Sequence, residues 1–172
     1  DGVGSAVSNI DFLTDRFAAN PDGPAIAWRE KTYTYGWLAG DISAQADKLR
    51  AAGVGPGSVV VLCSEYAPAA ASLLLALIEI KALVAPLLPM TIERNPALID
   101  MVDPSFIVEV TDGDQVAIRQ RAAGKPHELY KTLIERQAPG LVLFTSGSTG
   151  QPKGVVHDFS KLLEKFKTRR GA

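Results

Sequence analysis

Short apolar, β-branched runs alternate along this chain with longer stretches in which apolar residues recur every three or four positions. Residues 58–63, Ser-Val-Val-Val-Leu-Cys, form a nearly unbroken run of the kind that fills strands buried on both faces. Residues 83–87, 106–110 and 141–144 repeat the pattern and read as further strands. Between them lie helical patterns over residues 69–80, 91–102 and 127–137, the first apolar nearly all round and so expected between layers. The order β then α, repeated, predicts right-handed crossovers and a largely parallel, doubly wound α/β sheet flanked by helices, with ligands at the carboxyl ends of its strands.

The first third is built differently. A short helix over residues 11–19 is stopped by Asn20-Pro21-Asp22-Gly23, a cluster of turn residues. Residues 25–28 and 32–35 are β-prone runs on either side of Arg29-Glu30-Lys31 and predict a small hairpin. Thr34 then caps a helix over residues 35–52, in which Leu38, Ile42, Ala46 and Leu49 face inward while Asp41, Asp47 and Arg50 face water. A capping box is not expected, because Trp37 stands where its acidic residue would be. Gly53 ends the helix. The turn-rich stretch 111–125 reads as a surface excursion, and no internal repeat or low-complexity linker interrupts the chain.

Composition narrows the class. At 172 residues, 47% hydrophobic and 22% charged, the chain has the makeup of a globular domain. Eighteen basic and nineteen acidic residues give a net charge of -1, so no global field draws it to nucleic acid or an anionic membrane. The most apolar stretch, 67–78, is shorter than a membrane span. Cys63 has no cysteine partner and sits in an apolar run, the setting of a buried structural thiol. Residues 1–9 lack the basic start and apolar core of a secretory signal, and these absences together lead to the expectation of a reducing, cytoplasmic setting.

The chemistry concentrates in one segment. The apolar run 141–144 passes directly into Thr145-Ser146-Gly147-Ser148-Thr149-Gly150-Gln151-Pro152-Lys153-Gly154. Gly147 and Gly150 admit conformations and close approaches that a Cβ would block, so several amide N–H groups can converge on one anion. Thr145, Ser146, Ser148 and Thr149 add hydroxyl donors without bulk, and Lys153 adds a mobile positive charge suited to a triphosphate or its departing pyrophosphate. This is not the common P-loop, which needs Gly-Lys-Ser/Thr at the start of a helix. Gly154-Val155-Val156-His157 is β-branched, so the loop is expected to join two strands. A plain Ser/Gly linker would need neither a Pro-Lys-Gly end nor apolar strands on both sides.

Residues 145–154 resemble the phosphate loop of the AMP-forming adenylate ligases, which include acyl-CoA synthetases, luciferases and carrier-protein adenylation domains. Thr34-Tyr35 at a helix start, residues 49–61 with Gly53 and Pro56-Gly57, and residues 76–89 resemble the same families in the same order, so the likeness spans roughly residues 11–159. It implies that residues 1–172 are the N-terminal portion of an adenylation domain in an acid–CoA ligase. Such an enzyme makes an acyl-adenylate from a carboxylic acid and ATP with Mg2+, then passes the acyl group to CoA. Carried over residue by residue, Thr145, Ser146, Gly147, Ser148, Thr149, Gly150 and Lys153 hold the ATP phosphates, Thr149 reaches the metal, and Lys153 is the catalytic cation. The family's Tyr-Gly-x-Thr-Glu motif, ribose-binding Asp and lid Lys are not recognised in these residues, and the 172-residue chain alone is expected to be inactive.

Other residues divide between structural and functional roles. His157 either ends a strand or lines the acyl site, while His127, among Lys125, Glu128 and Lys131, reads as a solvated helix residue. No His/Cys cluster has zinc spacing. Residues 160–170 form an amphipathic helix whose Leu162, Leu163 and Phe166 recur at helical spacing beneath a basic face, with a nucleotide phosphate or CoA as the minor alternative for that face. The competing functions are a non-catalytic nucleotide- or partner-binding module, a carrier-protein adenylation domain, and a small phosphotransferase. The last would need a base and metal carboxylates beside the loop, where only Asp158 lies near in sequence.

Overall fold

The computed structural model describes residues 10–112, 114–146 and 150–169. Helix α1 (Asp11–Ala19) leads into a two-stranded antiparallel hairpin, β1 (Pro24–Trp28) and β2 (Lys31–Thr34). Its turn residues Arg29 and Glu30 both take positive φ, 47° and 62°, the geometry that matches strand twist in a two-residue hairpin. Neither is a glycine, and the Arg29 guanidinium lies 4.3 Å from the centre of the Trp28 ring, a cation–π contact that offsets part of that strain.

Helix α2 (Tyr35–Ala51) begins as expected at Thr34, whose Oγ1 accepts the Trp37 N–H at 3.1 Å. Thr34→Ala is expected to destabilise the 172-residue chain by about 1 kcal/mol, read as a lower urea midpoint at unchanged slope. A midpoint equal to wild type would show that the cap contributes nothing. Leu38, Ile42, Ala46 and Leu49 are buried as the spacing requires. Asp41 departs from expectation: it is half-buried, and Gln45 Nε2 donates to its Oδ1 at 3.4 Å.

The remainder forms one six-stranded sheet in which four parallel strands lie between two antiparallel edges, 115–120 on one side and 152–158 on the other. Strands β3 (Val59–Cys63), β4 (Leu83–Leu87), β5 (Phe106–Thr111) and β7 (Gly140–Ser146) are parallel neighbours. Alternate residues feed two cores. Val60, Leu62, Val84, Val108 and Leu141 pack beneath α2 and α3 (Pro68–Ile80), whereas Val61, Leu83, Ala85, Ile107 and Val142 pack against α5 (Ala97–Val102) and α6 (Glu128–Glu135). Helices on both faces explain why these strands are apolar at successive positions, and the expected doubly wound sheet is what the structure has.

Three expectations are corrected. Residues 91–102 are not one helix. They fall into α4 (Pro89–Arg94) and α5, because Pro96 has no N–H to offer and its ring disfavours helical backbone at Asn95. The excursion 111–125 contains a strand, β6 (Gln115–Gln120), antiparallel to β5, with Val116 and Ile118 turned onto the core between exposed Gln115, Ala117 and Arg119. His127 is not within a helix. It precedes α6 as the cap, its Nδ1 accepting the Leu129 N–H at 3.2 Å. Cys63 is buried as expected, and that burial, with Glu109 nearby, pushes its thiol up from the ordinary range.

Candidate nucleotide-phosphate site

Strand β8 (Pro152–Asp158) returns antiparallel along β7, so residues 145–154 join two strands, as their composition predicts. Register runs from Gly140↔Asp158 to Ser146↔Pro152 without a slip. Pro152 opens an edge strand, where its missing N–H breaks no ladder. Because β7 is parallel to β3 and β4, the loop emerges at the carboxyl end of the sheet, where open α/β folds take ligands. A cavity of about 440 Å³ opens at the same edge after β3 and β4, lined by Leu62, Ser64, Tyr66, Leu74 and Leu87 among others. It is mainly apolar and lacks the basic group a phosphate would need, so the loop itself is the better phosphate candidate.

Thr145 and Lys153 face each other across the hairpin, both exposed, with Thr145 Oγ1 donating to the Lys153 carbonyl at 3.4 Å. Gly150 has φ +75° and nothing within 4 Å of where a Cβ would stand, so glycine here serves backbone conformation in an open turn. Ser146 closes β7 with its backbone. Gly147, Ser148 and Thr149 lie outside the described residues, as does the side chain of Ser146. His157 pairs with Leu141 on β8, half-buried, four residues from Lys153 and on the face of the hairpin turned toward α7 (Phe159–Arg169).

Two features of the hairpin were not read from the sequence. One is a cluster at its far end. The Arg136 guanidinium and the Ser160 hydroxyl both donate to the carboxylate of Asp158, and the Ser160 N–H adds a bond of 3.0 Å. Burial alone would raise the Asp158 carboxyl, but the Ser160 hydroxyl, the Arg136 charge and the backbone N–H groups of Lys161 and Ser160 outweigh it and hold the group below the usual carboxylate range. Asp158 therefore ties α6 to the start of α7. This occupies the one carboxylate near the loop in sequence, which weighs against a phosphotransferase base there. A carboxyl depressed in the folded state stabilises above its unfolded value and loses that stability as pH falls through the folded value. Asp158→Asn is thus expected to lower the urea midpoint at pH 7 and to narrow the difference from wild type as pH falls below about 4. A difference that stays constant down to pH 2 would remove the carboxylate charge from that account.

The second feature is Phe144, whose ring lies over Gly154 on the α6 face, with Cε1 3.3 Å from where a Gly154 Cβ would stand. The signal was present as an aromatic and a glycine placed symmetrically about the loop, but only a known hairpin register makes them partners.

A sequence profile of AMP-binding enzymes matches residues 13–170, nearly the whole chain. The chain belongs to the AMP-binding enzyme family. It is similar to malformin synthetase mlfA of Aspergillus neoniger, at 32% identity over 88% of this chain and 3% of that protein. It is also similar to nonribosomal peptide synthetase 8 of Aspergillus fumigatus, at 30% identity over 79% of this chain and 2% of that protein. The solved N-terminal subdomain of NpsA from Klebsiella oxytoca, in complex with 3-hydroxyanthranilyl-AMSN, superposes with a TM-score of 0.65 at 23% identity, covering 87% of this chain and 40% of that one. That likeness is one of fold. The chain thus spans 2–3% of the length of these two synthetases and less than half of the solved subdomain. The chain is a segment of an AMP-binding enzyme, a family that implies ATP and Mg2+ for the complete protein. Relatives of this kind lend no support to CoA as acceptor or to fatty acid metabolism. Among the described residues no helix is long and apolar enough to cross a membrane.

Proposed function

We propose that this segment supplies the phosphate grip of an adenylation domain that joins a carboxylic acid to AMP, releases pyrophosphate and passes the acyl group to the thiol of a carrier protein. The carrying observation is the strand-joining loop of residues 145–154 at the carboxyl end of the sheet, with Lys153 exposed beside Thr145. A carboxylate is a poor acylating agent because it must expel oxide, and linkage to AMP turns that oxygen into a stabilised leaving group. Charge gathers between the α- and β-phosphates as pyrophosphate departs. In this reading the Lys153 ammonium and the loop N–H groups stabilise that charge, while the Thr145 hydroxyl and the residues through Gly150 orient the phosphates. His157 lines the approach of the acid.

The open Gly150 turn and the exposed Thr145 hydroxyl and Lys153 ammonium fit a triphosphate. For Mg2+ the described residues hold no group of three or more ligating side chains. That fits an ion carried largely by the phosphates and its own waters, as Mg2+ commonly is, with the Thr149 hydroxyl as the protein's ligand. Bound there, Mg2+ would neutralise phosphate charge. The similarity to a nonribosomal peptide synthetase supports a carrier protein as acceptor over CoA.

The test uses the complete adenylation domain that contains this segment. Acid-dependent exchange of labelled pyrophosphate into ATP is expected, followed by acylation of a phosphopantetheinylated carrier protein. Absence of exchange with every acid in a broad panel would overturn the adenylation reading. Efficient acylation of CoA with none of the carrier would replace the acceptor.

A further inference from the structure

The Pro-Lys-Gly end of the loop contains a glycine that the backbone does not require. The glycines at positive φ among the described residues are Gly53, Gly57 and Gly150, and Gly154 is not one of them. What Gly154 supplies is space. It lies directly opposite Phe144, and the ring rests over it with Cε1 3.3 Å, Cδ1 3.8 Å and Cζ 3.8 Å from the position a Cβ would take. An aromatic ring laid across a glycine on the facing strand covers backbone that would otherwise be bare, and it pins register. The next pair toward the loop is Thr145 and Lys153. Since side chains alternate along strands, Phe144 and Gly154 occupy the α6 face while Thr145 and Lys153 occupy the other. The Phe159 N–H bonds to the Pro139 carbonyl at 2.9 Å, so by antiparallel alternation Lys153 and Thr145 form a hydrogen-bonded pair one step beyond the ring.

We propose that Phe144 is a positioning residue: seated on Gly154, its ring clamps the loop end of the hairpin and fixes the direction in which Lys153 leaves it. The ring is half-buried against a small cavity of about 150 Å³ that Met101, Leu129 and Tyr130 also line. Without the flat ring the Thr145–Lys153 pair frays, and the ammonium samples directions away from the phosphates. The claim about Lys153 and phosphate rests on the adenylation reading above, whereas the claim about the ladder does not.

Amide hydrogen exchange in the 172-residue chain separates the two. In Phe144→Leu, which keeps an apolar side chain, the Lys153 amide is expected to exchange about two- to fivefold faster, while the amides of Leu141 and His157 at the far end keep their wild-type rates. Phe144→Tyr keeps the ring and should match wild type throughout. Gly154→Val, which drives the ring off its seat, should reproduce the leucine result. An unchanged Lys153 rate in Phe144→Leu, or an equal acceleration of every hairpin amide, would overturn the clamp. In the complete adenylation domain, Phe144→Leu should lower kcat for pyrophosphate exchange and leave KM for the acid unchanged. If Lys153→Ala is also without effect there, the adenylation role of Lys153 fails. If only Phe144→Leu is without effect, the positioning role alone fails.

Discussion

Replacing Lys153 by alanine in the complete adenylation domain is expected to slow acyl-adenylate formation by about a hundredfold or more, and to leave acid binding nearly unchanged. One well-placed electrostatic donor to a developing charge typically contributes about 2.7–4 kcal/mol to a transition state and much less to the ground state. In the proposed mechanism Lys153 acts from the mouth of the β7–β8 hairpin, where it is exposed and paired with Thr145. The second half-reaction provides the control. Thioester formation from pre-made acyl-adenylate involves no departing pyrophosphate and should proceed at nearly the wild-type rate. A flexible linker would predict no such asymmetry. Single-turnover measurement of each half-reaction decides the matter, and equal adenylation by mutant and wild type would take Lys153 out of the mechanism.

The largest effect on stability is expected at Leu73. It lies in the middle of α3, fully buried between that helix's neighbours α2 and the sheet. Leu73→Ala should cost about 2–5 kcal/mol, the lost burial plus the cavity that the surrounding side chains fail to fill. Alanine favours helix more than leucine does, so the loss cannot come from helix propensity. Leu143, on the open side of β7 and 39% exposed, serves as comparison, and Leu143→Ala should cost far less. Urea unfolding of the 172-residue chain reads both. Equal losses at the two positions would place α3 outside the core.

Much of this architecture was legible because periodicity reports burial directly. Strands β3 and β4 and the opening residues of β5 and β7 are buried on both faces, so their residues had to be apolar at successive positions, and that pattern survives in the sequence as unbroken runs. Helix α3 was legible for the same reason. The Thr34 cap, the Gly53 stop and the strand-joining nature of residues 145–154 followed from local backbone chemistry that needs no distant partner. Edge strand β6 was harder. It buries only Val116 and Ile118 against the core, which leaves two apolar alternations inside a turn-rich stretch. The break at Asn95-Pro96 is masked in the sequence because apolar periodicity runs on across it, although proline chemistry disfavours a continuous helix there.

What only the tertiary structure decided concerns pairs distant in sequence. Asp158 reads as a lone carboxylate until Arg136, 22 residues earlier, is carried beside it by α6. Gly154 reads as a loop glycine until the hairpin register sets Phe144 over it and shows that its missing Cβ provides room for a ring. The phosphate chemistry proposed for the loop rests on its residue types, hydroxyls, glycines and a lysine, which the sequence shows wherever they stand. Their direction depends on which strands the loop joins and on what holds those strands together, and such contacts exist only once residues far apart along the chain have been packed side by side.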